Sequence, residues 1–275
     1  MVASPYHFDS SDADVILVAT ANGEQKEFYA HRCILAAASP FFHDMFTLPQ
    51  AKSDSEDKPR VVMSDPPNAL DGMLRMLYPI PKPTFNLLDE LLPVLAVAVK
   101  YDLVYVTDVL RRELVTPKFL HASPLRVYAI ACRFDLDEEA RIASRYTLVQ
   151  NVIDAPLEED LKYIDGFSYH RLLKLHSARV SRAQKLLKIP ENIKCMQCNG
   201  SQYSFHGSPK WWYEYEKRAL EELAQRPTTD VIFELEFLFQ AASATDCPRC
   251  PESVLDSWRF LKDLKQRIDD LPSTV

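Results

Sequence analysis

Two cysteine pairs carry the most specific chemistry in this sequence. Cys195-Met196-Gln197-Cys198 and Cys247-Pro248-Arg249-Cys250 are both C-x-x-C, a spacing that sets two sulfurs on one tight turn. Together they offer four thiolates, the donor set of a closed tetrahedral structural zinc site with sulfurs about 2.3 Å from the metal. Asn199-Gly200 follows the first pair, where a positive φ is expected just past the second ligand. Cys250-Pro251 is expected to start the last helix and so present the second knuckle. The 48 residues between the pairs exceed a zinc ribbon's spacing and must hold two helices. Two other readings stay open: four unrelated thiols, or a redox-active Cys-Pro-Arg-Cys, against which stands the lack of a thioredoxin-like βαβ pattern. His206 is a further candidate ligand, and Cys33 and Cys132 read as core thiols on apolar helical patterns.

The cluster Trp211-Trp212-Tyr213-Tyr215 has the composition of a recognition cage, but such a stripe at helical spacing belongs more often to a core. No nucleophile–base motif, carboxylate pair or open metal site is recognisable, so the chain reads as a non-enzyme. Only five Gly stand beside nineteen Pro, and no Gly-rich phosphate loop is present. The formal charge of −7 argues against sequence-independent nucleic-acid binding, which needs a basic face. No apolar run approaches the roughly 20 residues of a membrane span. Met1 to Ser11 shows no signal-peptide core, which points to cytoplasm or nucleus. In such a reducing compartment the six Cys are thiols or metal ligands rather than disulfides.

The elements that must position these residues fall into two stretches. The apolar run at residues 14–19, the turn Asn22-Gly23 and residues 24–30 read as a hairpin. Residues 31–38 read as a helix, and Ser39-Pro40 supplies a cap and N1 proline for a second. Residues 50–59 read as a loop and 60–63 as a strand. Helices follow at 68–78, at 88–101 with Pro93 in its first turn, and around Val106 to Leu114. Beyond Pro117 almost everything reads as helix. Ser123-Pro124, Asp137, Ser168 and Ser208-Pro209 are the starts, and Val231–Ala242 and Val254–Ile268 the last two segments.

The stretch Phe28-Tyr29-Ala30-His31-Arg32-Cys33-Ile34-Leu35-Ala36-Ala37-Ala38-Ser39-Pro40-Phe41-Phe42-His43-Asp44-Met45-Phe46 resembles the signature of the BTB/POZ family. Asp14-Val15, Leu74-Arg75-Met76-Leu77-Tyr78 and Ala98-Val99-Lys100-Tyr101-Asp102-Leu103 resemble three more of its segments, in the right order. Tyr78-Pro79 is similar to fungal members. Residues 123–148 are loosely similar to the BACK-type helical extension. The resemblance implies an α+β class: a small mixed sheet flanked by helices, followed by an all-helical half. It divides the chain into a flexible tail at 1–12, a BTB domain at 13–116, a BACK-like extension at 117–190 and a module with the two C-x-x-C pairs at 191–275.

The resemblance also implies function. BTB domains bind proteins and do not catalyse, so the chain is expected to be a scaffold or adaptor. His31, Arg32 and Ser39 become scaffold positions, with Asp14 and His31 serving the fold and the dimer region. Phe42, Met45, Phe46, Leu48 and Gln50 are the candidate protein-binding residues. Homodimerisation is implied, although the short lead-in before Asp14 argues against the type that exchanges an N-terminal strand. A cullin-type ubiquitin ligase is an alternative partner. Pro49-Gln50 departs from the hydrophobic-x-Glu triplet of cullin binders, and no kelch, MATH or classical zinc-finger segment is visible. A zinc-dependent transcriptional regulator is the second alternative.

Overall fold

A computed structural model describes residues 6–21, 24–48, 58–188, 193–200 and 207–275. Asn22-Gly23, Gln50, most of the 50–59 loop and His206 lie outside the described residues. The chain divides into two compact units. One is residues 1–123 with 134–139, and the other is residues 124–133 with 140–275.

In the first unit β1 (Val15–Ala21) pairs antiparallel with β2 (Glu24–Ala30) and parallel with β3 (Arg60–Met63), giving the order β2-β1-β3. Around this mixed sheet lie α1 (Arg32–Ala38), α2 (Pro40–Thr47), α3 (Pro67–Leu77), α4 (Leu88–Lys100), α5 (Val104–Leu114) and α6 (Pro117–Ala122). β1 is buried almost throughout because α3 and its neighbours cover it, which explains a continuous apolar run rather than an alternating one. Residues 6–12, expected as a free tail, are laid against β2. Phe8 accepts from the Tyr29 N–H at 2.9 Å, and its ring packs on Phe28 and Tyr78.

Polar side chains fix the junctions of this unit. The Arg32 N–H donates to Asp14 Oδ1 at 2.7 Å, so a carboxylate holds the first turn of α1. The Tyr78 hydroxyl accepts from the His31 N–H and lies 2.9 Å from His31 Nδ1. Ser39 Oγ accepts from Phe42 N–H at 3.1 Å, the cap expected for α2, and donates to the Tyr101 carbonyl at 2.6 Å. Lys100 and the Tyr101 hydroxyl both bind Asp65, just past β3. α4 closes with the Leu103 N–H on the Ala98 carbonyl and the Asp102 N–H on Val99, which sets Asp102 at φ 50°. Pro93 stands inside α4 rather than in its first turn, and the helix forms across it. Gly72 lets α3 approach α4: a Cβ there would meet Val94 Cγ2 at 2.5 Å.

The second unit contains α7 (Pro124–Arg133), α8 (Asp137–Thr147, whose first residues belong to the first unit), a 3-10 turn (Glu159–Tyr163), α9 (Gly166–Leu186), α10 (Lys210–Gln225), α11 (Leu235–Ser243), α12 (Cys250–Asp256) and α13 (Trp258–Asp269). Residues 124–133 and 140–190 of the expected 117–190 module share one compact unit with the expected 191–275 module, and residues 117–123 and 134–139 belong to the first unit. α9 packs on both α10 and α13, and Arg179 reinforces this. Its buried guanidinium donates to the carbonyls of Pro227, Ile268, Leu271 and Pro272, the last three closing the C-terminus of α13.

Several local expectations change. α9 is capped by Asp165, whose Oδ1 accepts from Ser168 N–H at 2.7 Å, and Ser168 sits inside the first turn. Pro209 is the N-cap of α10, not its first residue. α11 starts only at Leu235, which leaves Val231 in the preceding turns. The last segment splits at Ser257 into two helices, and Trp258 is 62% exposed instead of core.

Buried His176 on α9 lies 2.9 Å from Thr147 Oγ1, whose proton goes to the Ser144 carbonyl, so the imidazole Nε2 is the donor between them. Burial lowers its pKa from 6.5 to about 4. Below pH 6.5 the unfolded chain takes up this proton before the folded one does. The stability held by the neutral ring is therefore complete above pH 6.5 and is lost as pH falls towards about 4. A shift of this size corresponds to about 3 kcal/mol. Urea titrations at pH 7 and pH 4 are expected to show a steeper acid loss for wild type than for His176→Gln.

Candidate metal centre

The four cysteines of the two pairs converge. Cys195 lies in the segment leading to α10, and Cys198 closes its turn. Cys247 ends the loop after α11, and Cys250 is the first residue of α12. All four sulfurs lie within 4.8 Å of one another. Cys195 Sγ and Cys247 Sγ are 3.7 Å apart, and Cys198 Sγ and Cys250 Sγ 3.9 Å. Four sulfurs about 2.3 Å from one centre stand about 3.8 Å apart along each edge of a tetrahedron. A disulfide needs about 2.05 Å. The donor set therefore fits a metal and not a pair of cross-links.

The local backbone explains the convergence. Asn199 Oδ1 accepts from the Cys195 N–H at 2.5 Å, and Asn199 Nδ2 donates to the Ile193 carbonyl at 3.0 Å, locking the first turn. Gly200 is required by crowding: a Cβ there would lie 2.9 Å from the Cys195 carbonyl oxygen. Its φ is not in the left-handed region, so close approach and not the expected positive φ is the reason for glycine. The Cys250 N–H returns to the Cys247 carbonyl at 3.1 Å and closes the second turn. Cys250 opens α12, one helix before the last.

Backbone N–H groups aim at the sulfurs. Lys210 N–H, in the first turn of α10, reaches Cys198 Sγ at 3.4 Å, and Trp211 N–H points to Cys250. These helix-terminal donors have no partner within the helix, and they sit at the positive end of its dipole. Burial pushes the Cys195 thiol up, but the amides of Cys198 and Gln197 outweigh it and bring the group below its ordinary value. Burial pushes the Cys198 thiol up to about 12, against the pull of the Lys210 amide, with Cys195 and Cys250 adding to the rise. Burial likewise raises Cys250. Such thiols keep their protons at neutral pH unless a cation displaces them, as a coordinated metal does outright.

Ser253 joins the segments around the centre. Its hydroxyl donates to the Lys194 carbonyl at 3.0 Å and accepts from the Trp211 indole N–H at 3.0 Å. One buried oxygen thus ties the first knuckle, α10 and α12 together, and no sequence pattern announced it. Beneath lies the core of this half, including Trp211, Trp212, Tyr215, Ala219, Leu238, Val254, Leu261 and Ile268, with Cys195, Cys247 and Cys250 in the same cluster. The aromatic stripe is therefore core, apart from Tyr213 at 41% exposure. Cys33 is exposed on α1 and Cys132 half-buried, so Cys33 is not the core thiol that its pattern suggested.

The candidate protein-binding residues separate. Phe42 is fully buried against Phe46 and Tyr101 and belongs to the core, not to a docking face. Met45 and Phe46 are half-buried and Leu48, the C-cap of α2, is 61% exposed. Arg32 stacks over Phe46 and donates to its carbonyl at 3.0 Å, a scaffold contact.

Residues 7–118 match the family profile described as BTB/POZ domain. This stretch is a BTB/POZ domain. The match covers the mixed sheet and the helices through the start of α6. Among curated proteins, the chain is similar to a BTB/POZ domain and ankyrin repeat-containing protein NPR1 from Malus hupehensis. The two are 40% identical over 57 residues, which is 21% of this chain and 9% of that protein. The chain thus covers under a tenth of that relative's length. BTB/POZ domains are in general non-catalytic interaction modules, and among the described residues no helix is long and apolar enough to cross a membrane.

Replacing Ser253 by Ala leaves the buried Trp211 N–H without a partner and removes the donor to the part-buried Lys194 carbonyl. We expect a loss of about 1–3 kcal/mol, read as a lower urea midpoint for the tryptophan fluorescence change. Ser253→Thr, which keeps the hydroxyl, is expected to lose less.

Proposed function

We propose that this chain is a non-catalytic adaptor whose BTB/POZ domain docks other proteins and whose helical half is held closed by one structural zinc ion. The sulfur geometry carries the zinc reading: two edges of 3.7 and 3.9 Å match a four-sulfur tetrahedron. Four cysteines complete the ligand set and leave no position for a reacting water, as in structural rather than catalytic zinc sites. The sulfurs come from segments about fifty residues apart, so metal binding acts directly as folding free energy for residues 193–275.

The interaction role rests on the BTB/POZ domain of residues 7–118. We place the docking face at the end of α2, on Met45, Phe46 and Leu48; Gln50, the remaining candidate, lies outside the described residues. The 61% exposure of Leu48, next to half-buried Met45 and Phe46, favours it. A second copy of the chain or a cullin scaffold are the partners this face is proposed to meet. Residues 117–190 are, in this reading, a BACK-like helical extension of the docking domain.

Metal analysis of the purified chain is expected to find about one zinc per molecule and to find none bound in Cys250→Ser. Chelation is expected to lower the melting temperature. Metal-free protein with unchanged melting ends the zinc reading. For the docking face, Leu48→Asp is expected to abolish co-elution with a cullin N-terminal region, or to shift a dimer to monomer, at micromolar concentration. A wild-type chain that neither dimerises nor binds the cullin removes both partners.

A further inference from the structure

α9 differs in charge from the acidic chain that carries it. Between Gly166 and Lys188 there are Arg171, Lys174, Arg179, Arg182, Lys185 and Lys188, with no Asp or Glu, in a protein of net charge −7. Arg179 is consumed by its carbonyl contacts. α10 and α13 instead pair some of their cations with carboxylates four residues away, as in Arg218–Glu214 at 2.7 Å and Lys265–Asp269 at 2.6 Å. Among the described residues, Lys174, Arg182, Lys185 and Lys188 have no carboxylate partner. His170, Lys174, Ser177, Ser181, Lys185 and Lys188 recur at steps of three and four and are all exposed, so they form one stripe along the helix and just past its end.

A groove of about 450 Å³ runs beside this stripe and shares Ser177 and Ser181 with it. Val152, Ile153, Leu173, Val180 and Ala224 form its apolar side, Asn151, His176 and Gln184 add polar lining, and Ile153 is 74% exposed. The cations flank an apolar slot, where a partner can place carboxylates on one side and aliphatic side chains on the other. We propose that this face docks an acidic amphipathic segment of a partner protein. Unneutralised lysines beside an apolar slot select for that combination. A nucleic-acid strand would use the lysines and leave the slot empty, and no Phe, Tyr or Trp lines it for base stacking. From His170 to Lys185 the stripe extends about 22 Å, the length of four helical turns in the occupant. This inference does not rest on the zinc centre or on the α2 face.

Fluorescence anisotropy of the full chain tests the proposal, with a labelled peptide of four Glu-Leu-Leu-Glu repeats as the probe. Polyglutamate of equal length and an oligothymidylate serve as comparators. The peptide is expected to bind in the micromolar range and more tightly than either comparator. The double substitution Lys174→Glu/Lys185→Glu is expected to weaken it at least about tenfold. Ile153→Ser, which spares every lysine and adds no charge, is expected to weaken the peptide but not polyglutamate. All three positions are exposed, so circular dichroism and melting should match wild type. Absence of peptide binding overturns the proposal, as does unchanged affinity in the variants. Equal or tighter binding of polyglutamate or oligothymidylate makes the stripe a general anion or nucleic-acid surface and overturns it too.

Discussion

Four sulfurs cannot share a space of this size as thiolates without a cation between them. Each must lose water, each repels the others, and burial pushes Cys198 and Cys250 towards the protonated form. A divalent ion reverses all three effects at once. Everything around the centre is arranged for that outcome. Asn199 locks one turn, and the Cys250 amide closes the other. The first turn of α10 turns its spare N–H groups on the sulfurs. The same turn carries Trp211 and Trp212 into the core, and Ser253 binds Trp211 to the first knuckle. The cysteine cluster and the core of this half are therefore one construction, so disturbing either is expected to disturb the other.

The BTB/POZ domain solves a similar problem without metal. Its helix–strand junctions are pinned by single polar side chains: Asp14 on α1, Tyr78 on His31, Ser39 between α2 and Tyr101, and Asp65 held by Lys100 and Tyr101. Ser39 and Asp65 partner buried groups that would otherwise be unsatisfied, and the other two contacts lie nearer the surface. The tempting catalytic residues His31 and Arg32 are absorbed in this way. The two surfaces proposed above for partner docking are the end of α2 in one unit and the basic face of α9 in the other.

Local signals were legible in the sequence. The C-x-x-C spacing, the hairpin strands, the Ser39-Pro40 cap and the 3.6-residue recurrence of Trp212, Tyr215, Ala219 and Leu223 all depend on neighbours a few residues away. The family segments located the domain because four of them occur in order. Features set by distant neighbours were not legible. Ser253 gains its role from Lys194 and Trp211, and the sulfur-facing amides of α10 depend on how the helix docks. A signature marks Phe42 and Cys33 as positions that matter without saying which way they face, and the structure turns Phe42 inward and Cys33 outward. Asp165 displaced Ser168 as a cap because both residue types suit the role and only the tertiary start of α9 decides between them. Gly72 carried no local turn signal, since its reason is Val94 on another helix.

The central claim is that Cys195, Cys198, Cys247 and Cys250 together enclose one zinc ion. X-ray absorption at the zinc edge on the purified full chain reads the ligand set itself. The account predicts a single shell of four sulfurs at about 2.3 Å. A shell with nitrogen or oxygen in place of any sulfur, or with more than four ligands, contradicts it.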